Sequence, residues 1–116
     1  MIYHLLPAPL WQRQAPDQPY RGDTLATEGF IHCTGEPARL VWVANRFYRT
    51  LPDDFVILCI EPSRVQAEIK WEQADGHDFP HIYGPLNLDA VIDVVKFSRD
   101  ATGQFLPPPD LLTTAK

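Results

Sequence analysis

The residues of this chain best equipped for chemistry are imidazoles set into short apolar runs. His32 lies in Glu28-Gly29-Phe30-Ile31-His32-Cys33-Thr34, and His81 lies with Tyr83 in Phe79-Pro80-His81-Ile82-Tyr83-Gly84-Pro85-Leu86-Asn87. A strand with one polar ring among apolar neighbours presents that ring to a ligand. Both segments mix aromatic, imidazole and backbone-bending residues, so they are expected to meet in space. His4 joins them if Ile2, His4 and Leu6 share one face of a first strand.

Metal ligation is the weaker reading of these side chains. His77 and His81 are four apart, a spacing that faces one way on a helix, but Pro80 between them argues against a helix. Cys33 and Cys59 stand among apolar neighbours without a CxxC pair, and read as buried reduced thiols of a cytoplasmic protein.

The elements that must position these residues follow from periodicity. Ile2–Leu6 reads as a strand ended by Pro7, with a brief helix over Leu10–Gln14. Tyr20–Glu28 reads as polar connection leading into a strand over Gly29–Cys33, with Phe30 and His32 on one face and Ile31 and Cys33 on the other. Thr34 is placed to cap the next helix, Ala38–Arg49, whose Leu40, Val41, Ala44, Phe47 and Tyr48 recur at helical spacing opposite Arg39, Arg46 and Arg49. Phe55–Ile60 is an unbroken apolar run suited to a central strand. In Ala67–Glu72 the alternation turns Ala67, Ile69 and Trp71 inward and Glu68, Lys70 and Glu72 outward. Gln73–Asp78 reads as a loop. Phe79–Tyr83 is strand-like, with Pro80 confining it to an edge, a strand start or a bulge, and Val91–Phe97 is the last strand.

Six short strands and one principal helix predict an α+β fold with a mainly antiparallel sheet. The 116 residues suit a single domain, 1–116, with 110–116 as a frayed tail after an extended Pro107–Pro109. The net charge of −5, without a lysine or arginine run, argues against sequence-independent nucleic-acid binding. No stretch has the length of a membrane span, and the first residues lack the basic and apolar regions of a signal peptide. Neither a P-loop nor the glycine-rich dinucleotide fingerprint is present.

Tyr20, Glu28–Thr34, Ala44–Tyr48, Trp71-Glu72, Phe79–Leu86 and Ala90-Val91 together resemble the bacterial and plant domain-of-unknown-function 952 family, with Thr34 where serine is more usual. The family has no established activity, but its fold is considered similar to ADP-ribosyltransferases, whose split sheet grips NAD. This resemblance implies a nucleotide-like small ligand, with NAD as cofactor. It also implies a site at His4, His32 and the His81–Tyr83 segment, with His32 and His81 as the catalytic candidates; Thr34 and Arg46 join His4, His32 and Tyr83 as cofactor-binding candidates. Imidazoles on adjacent strands would bond ribose hydroxyls or a phosphate, Tyr83 would stack on a ring, and Arg39 or Arg46 would reach a pyrophosphate. The expected late-strand glutamate is missing: Phe79–Asn87 contains no acid, and Glu28 and Glu72 are the nearest candidates. That departure brings the chain nearer the RNA 2′-phosphotransferase branch, although that branch's basic residues are not evident.

Three functions therefore stand side by side. The first is NAD or ADP-ribose recognition, with ADP-ribosyl transfer or NAD hydrolysis. The second is a non-catalytic small-ligand or nucleotide-binding module, and the third is a structural or interaction protein in which the histidines and Tyr83 are packing residues and the arginines a solvated face. Convergence of His4, His32, His81 and Tyr83 separates the first two from the third. The protein partner and the oligomeric state are not legible.

Overall fold

Phe55–Ile60 is apolar at every position because both of its faces are covered, and the protein is built around it. The structure, a computed structural model, describes residues 1–22 and 24–108. In chain order the elements are β1 (Ile2–Pro7), α1 (Ala8–Gln12), α2 (Thr24–Glu28), β2 (Ile31–His32), α3 (Pro37–Phe47), β3 (Phe55–Ile60), β4 (Glu68–Ala74), β5 (His77–Tyr83) and β6 (Val91–Phe97). Short 3-10 turns at Pro62–Arg64 and Leu88–Ala90 flank the β4–β5 hairpin.

The strands form two three-stranded antiparallel sheets, ordered β1-β3-β6 and β2-β5-β4. Strand β3 is central in the first. Its Leu58 and Ile60 join Ile2 and Leu6 of β1 in a core shared with Ile31 and Ile82 of the second sheet. Its Phe55, Ile57 and Cys59 pack with Tyr3, Phe97, Phe105 and the α3 residues Leu40 and Ala44 on the other side. Alternation along β3 thus divides one apolar run between two cores.

The two sheets are tied at a corner. Tyr3 and Thr34 exchange backbone hydrogen bonds of 2.8 and 2.7 Å, linking β1 to the chain leaving β2. Tyr20 and Leu86 make a similar bridge.

Several expectations need correction. Helix α3 begins with Pro37 at its first turn and has Glu36 as N-cap without a side-chain capping bond. Thr34 does not cap it, because the Tyr3 bridge holds Thr34 in extended backbone two residues too early. Helix α1 starts at Ala8, and Thr24–Glu28, read as connection, is the short helix α2. The second strand shrinks to Ile31–His32. Pro80 sits in the central strand of its sheet, against the rule that confines proline to an edge. Its carbonyl accepts from the Cys33 N–H at 3.1 Å, so the side of Pro80 lacking a donor is turned toward β2, whose ladder has only two residues.

The loop over Gln73–Asp78 is instead a tight hairpin: Ala74 pairs with His77, leaving Asp75 and Gly76 at φ of 52° and 79°. Two positive φ angles in a two-residue Asp-Gly loop are the type I′ geometry that matches strand twist. Trp71 is on the predicted face but lies past the end of the core, 58% exposed, with its indole over Gly35. A Cβ at Gly35 would come within 2.8 Å of that ring. Phe47, placed on the buried face of its helix, is 56% exposed. The tail 110–116 and Pro109 fall outside the described residues.

Candidate functional site

The register of the second sheet assembles the site. His32 of β2 lies directly opposite His81 of β5, and Tyr83 follows two residues on, so the three rings share one face. Ile31 and Ile82 point the other way and are fully buried, which anchors the face carrying the rings. His32 and His81 have ring centroids 5.1 Å apart. Phe30 stacks on His81 at 4.2 Å and 20°, and lies 4.7 Å from His32 and 5.1 Å from Tyr83. Gly29, at φ 88°, ends α2 and turns the chain so that Phe30 reaches this position. The Thr24 hydroxyl donates to the Phe30 carbonyl at 2.8 Å and closes that turn.

Each imidazole has a carboxylate. His81 Nδ1–H donates to Glu72 Oε1 at 2.8 Å, and the Tyr83 hydroxyl donates to the same oxygen. His32 Nε2 faces Glu28 Oε2 at 3.4 Å, a longer and more exposed pair. The Tyr83 and His81 hydrogen bonds hold the Glu72 carboxyl below its ordinary value, and the same bond pushes the Tyr83 phenol above its own. With Nδ1 protonated, neutral His81 keeps Nε2 as an acceptor. Lys70, cross-strand from His81, places its ammonium 4.7 Å above the Tyr83 ring.

His4 enters from the first sheet. Its Nδ1–H donates to the His32 carbonyl at 2.6 Å and its Nε2 accepts from the Tyr20 hydroxyl at 2.7 Å, roles that one neutral tautomer satisfies. His4, His32 and His81 all line one cavity of about 480 Å³ between the sheets and α3. That volume falls within the roughly 300–1,000 Å³ of small-ligand sites. Trp42, Phe47, Tyr48 and Phe79 form much of its wall, Glu28 and Asp75 contribute acids, and Thr34 lines it, its hydroxyl buried and without a hydrogen-bond partner among the described residues. Among the described residues, no lysine or arginine lines it.

The predicted residues therefore separate. His4, His32, His81 and Thr34 line the cavity, whereas Tyr83 adjoins it through Phe30 and Glu72 without lining it. Arg46 is outside, exposed, with its guanidinium 5.5 Å from the Trp42 and Phe47 rings. Arg39 is turned to a different surface, donating to His77 Nε2 at 2.9 Å. His77 and His81 share a strand face, and among the described residues no group of three or more His, Cys, Asp or Glu is arranged to hold a metal ion. Both cysteines are buried free thiols, with burial pushing Cys59 up to about 11 and Cys33 higher still.

Sequence reasoning undervalued Glu28 and Glu72, and left Phe30 unassigned. The missing signal was Asp75-Gly76: a two-residue turn there sets Lys70 against His81 and Glu72 against Phe79, so Glu72 falls diagonal to His81.

An α+β chain with two antiparallel sheets and an imidazole-lined cavity between them is thus defined. The chain belongs to the DUF952 family, described as proteins of unknown function, whose family profile matches residues 5–94. It is similar to the crystal structure of protein CC0527 from Caulobacter crescentus, with a TM-score of 0.81 and 25% identity over 96% of this chain and 97% of that one. It is also similar to the solution NMR structure of CC0527, with a TM-score of 0.70 and 27% identity over 88% of each chain. No curated protein matches it significantly. Among the described residues no helix is long and apolar enough to cross a membrane.

Proposed function

We propose that the cavity binds NAD or ADP-ribose, in the manner of an ADP-ribosyltransferase-like split sheet, and that its chemistry is ADP-ribosyl transfer or NAD hydrolysis in the cytoplasm. The observation that carries this reading is the pairing of His32 with His81 across two strands, each beside a carboxylate, on one 480 Å³ cavity. Breaking the nicotinamide–ribose bond sends the bonding electrons to the ring nitrogen and leaves an oxocarbenium-like ribose for water or an acceptor to attack. Oriented imidazoles would bond the ribose hydroxyls, and Glu28 would stabilise the developing positive charge. Glu72, on the neighbouring strand, would supply the acid that is missing from Phe79–Asn87 and orient His81. Arg46, packed against Trp42 and Phe47, would meet phosphates that stay outside the cavity.

The second reading is a binding module without catalysis. It is favoured by the lining itself, which carries Glu28 and Asp75 and, among the described residues, no lysine or arginine to neutralise a pyrophosphate. Titration with NAD and with ADP-ribose, following the fluorescence of Trp42 and the other tryptophans, tests binding, and assay of free nicotinamide tests turnover. Binding with nicotinamide release supports the enzyme, binding without it supports the module, and no binding of either ligand at millimolar concentration rejects both nucleotide readings.

A further inference from the structure

We infer that the cavity between α3 and the two sheets is a site for a compact organic cation, a quaternary ammonium or pyridinium compound bearing a hydroxyl or amide group. Its wall holds the rings of Trp42, Phe47, Tyr48 and Phe79, and among the described residues its acids are Glu28 and Asp75, beside the imidazoles of His4, His32 and His81. Aromatic faces attract a desolvated cation through the ring quadrupole, and carboxylates at the margin add to that field. The rings already engage a cation from outside: the Arg46 guanidinium packs against both Trp42 and Phe47 at 5.5 Å. An anionic head would meet two acids and, among the described residues, no lysine or arginine on the lining.

Thr34 independently points to a ligand. It lines the cavity, is 4% exposed, and its hydroxyl has no hydrogen-bond partner among the described residues. A buried hydroxyl without a partner is costly, and the Tyr3 bridge prevents the backbone from moving to relieve it. Turning χ1 by one rotamer exchanges hydroxyl for methyl, so an arriving donor or acceptor gains this hydroxyl as a partner. The ligand thus needs a polar group as well as a charge, which a purely apolar cation lacks.

This inference does not rest on the nucleotide reading: NAD carries a pyridinium amide of its own, but choline shares no charged group with the ADP-ribose part, and the binding of NAD and of ADP-ribose is scored separately. The probe is choline, set against its neutral isostere in which the quaternary nitrogen is carbon, each titrated into the full chain while the Trp42 indole resonance is followed by NMR. Choline is expected to shift that resonance and to bind about fivefold or more tightly than the isostere. The Glu28→Gln and Asp75→Asn variants are expected to narrow the gap. Thr34→Val should weaken choline by about three- to tenfold while Thr34→Ser retains it, with the Thr34→Val melting temperature unchanged or raised because the unpaired hydroxyl is gone. Equal binding of the two isosteres overturns the cation assignment, and a gap left undiminished by loss of both acids overturns the role of the carboxylates. Absence of any Trp42 shift overturns the site, and undiminished choline binding in a folded Thr34→Val protein overturns the role of Thr34.

Discussion

Replacing Ile82 with alanine tests whether the rings of the site rest on the shared core behind them. Ile82 is fully buried on β5, between His81 and Tyr83 in sequence but on the opposite face, and it pairs with Ile31 of β2 and Ile69 of β4. Alanine removes three carbons, worth about 2.4 kcal/mol of transfer free energy at ~0.8 each, and an incompletely collapsed void raises the loss to about 3–4 kcal/mol. For a chain of this length that is a large part of a total near 6–17 kcal/mol. It corresponds to a fall in melting temperature of about 12 °C. Strand β2 has only two ladder residues, one of them Ile31, so the same substitution should loosen His32 against His81. Urea unfolding followed by tryptophan fluorescence measures the loss, with Ile92→Ala, on a half-exposed residue of β6, as a control expected within about 0.5 kcal/mol. A loss below about 1 kcal/mol at Ile82, with an unchanged denaturant slope, would refute the claim that the two sheets share this core.

Glu72→Gln removes the negative charge of the acceptor common to His81 and Tyr83, so the Tyr83 phenol should titrate at lower pH than in the parent, which ultraviolet difference spectra report. The Glu72 carboxyl is held below its ordinary 4.5, so its contribution to stability is complete above that pH and is lost as pH falls through the lower folded value. The stability difference between parent and Glu72→Gln should accordingly shrink in acid denaturation series. Tyr83 acts at the other end: raised above 10.0, it contributes fully below that pH and less as pH rises through its folded value. Ellman's reagent should find neither Cys33 nor Cys59 in the native protein at pH 8 and both in denaturant, because burial suppresses the thiolate of each. Arg99 donates to the backbone carbonyls of Arg49, Leu51, Asp53 and Gly103, so Arg99→Ala should cost about 1–3 kcal/mol in urea and Arg99→Lys nearly as much.

Much of this architecture was legible because period-2 and period-3.6 patterns are strong where one face is buried. Phe55–Ile60 and Val91–Phe97 are the strands expected, and the central place of the first followed from its unbroken apolar run. Ile31 and Cys33 are buried and Phe30 packs against His32, as alternation requires, although Cys33 also borders the cavity and Phe30 does not line it. What periodicity does not carry is register and context. Thr34 has the chemistry of a cap, but a bridge to Tyr3 outweighs a helix-end hydrogen bond. Pro80 enters a central strand because the neighbour on its donor side is only two residues long. Trp71 keeps the right face and loses burial because the core ends before it. Convergence of His4, His32 and His81 was readable from strand faces, whereas Glu72 needed the Asp75-Gly76 register, and Arg46 depended on a helix rotation that arginine spacing alone does not fix.

The central claim is that His32 and His81 form one ligand-binding pair. Calorimetric titration of NAD and ADP-ribose into the parent, His32→Ala and His81→Ala proteins tests it most directly. The account predicts saturable binding to the parent and a loss of about tenfold or more in each folded variant. Parent-like affinity in both variants, or no heat with either ligand at millimolar concentration, would contradict it.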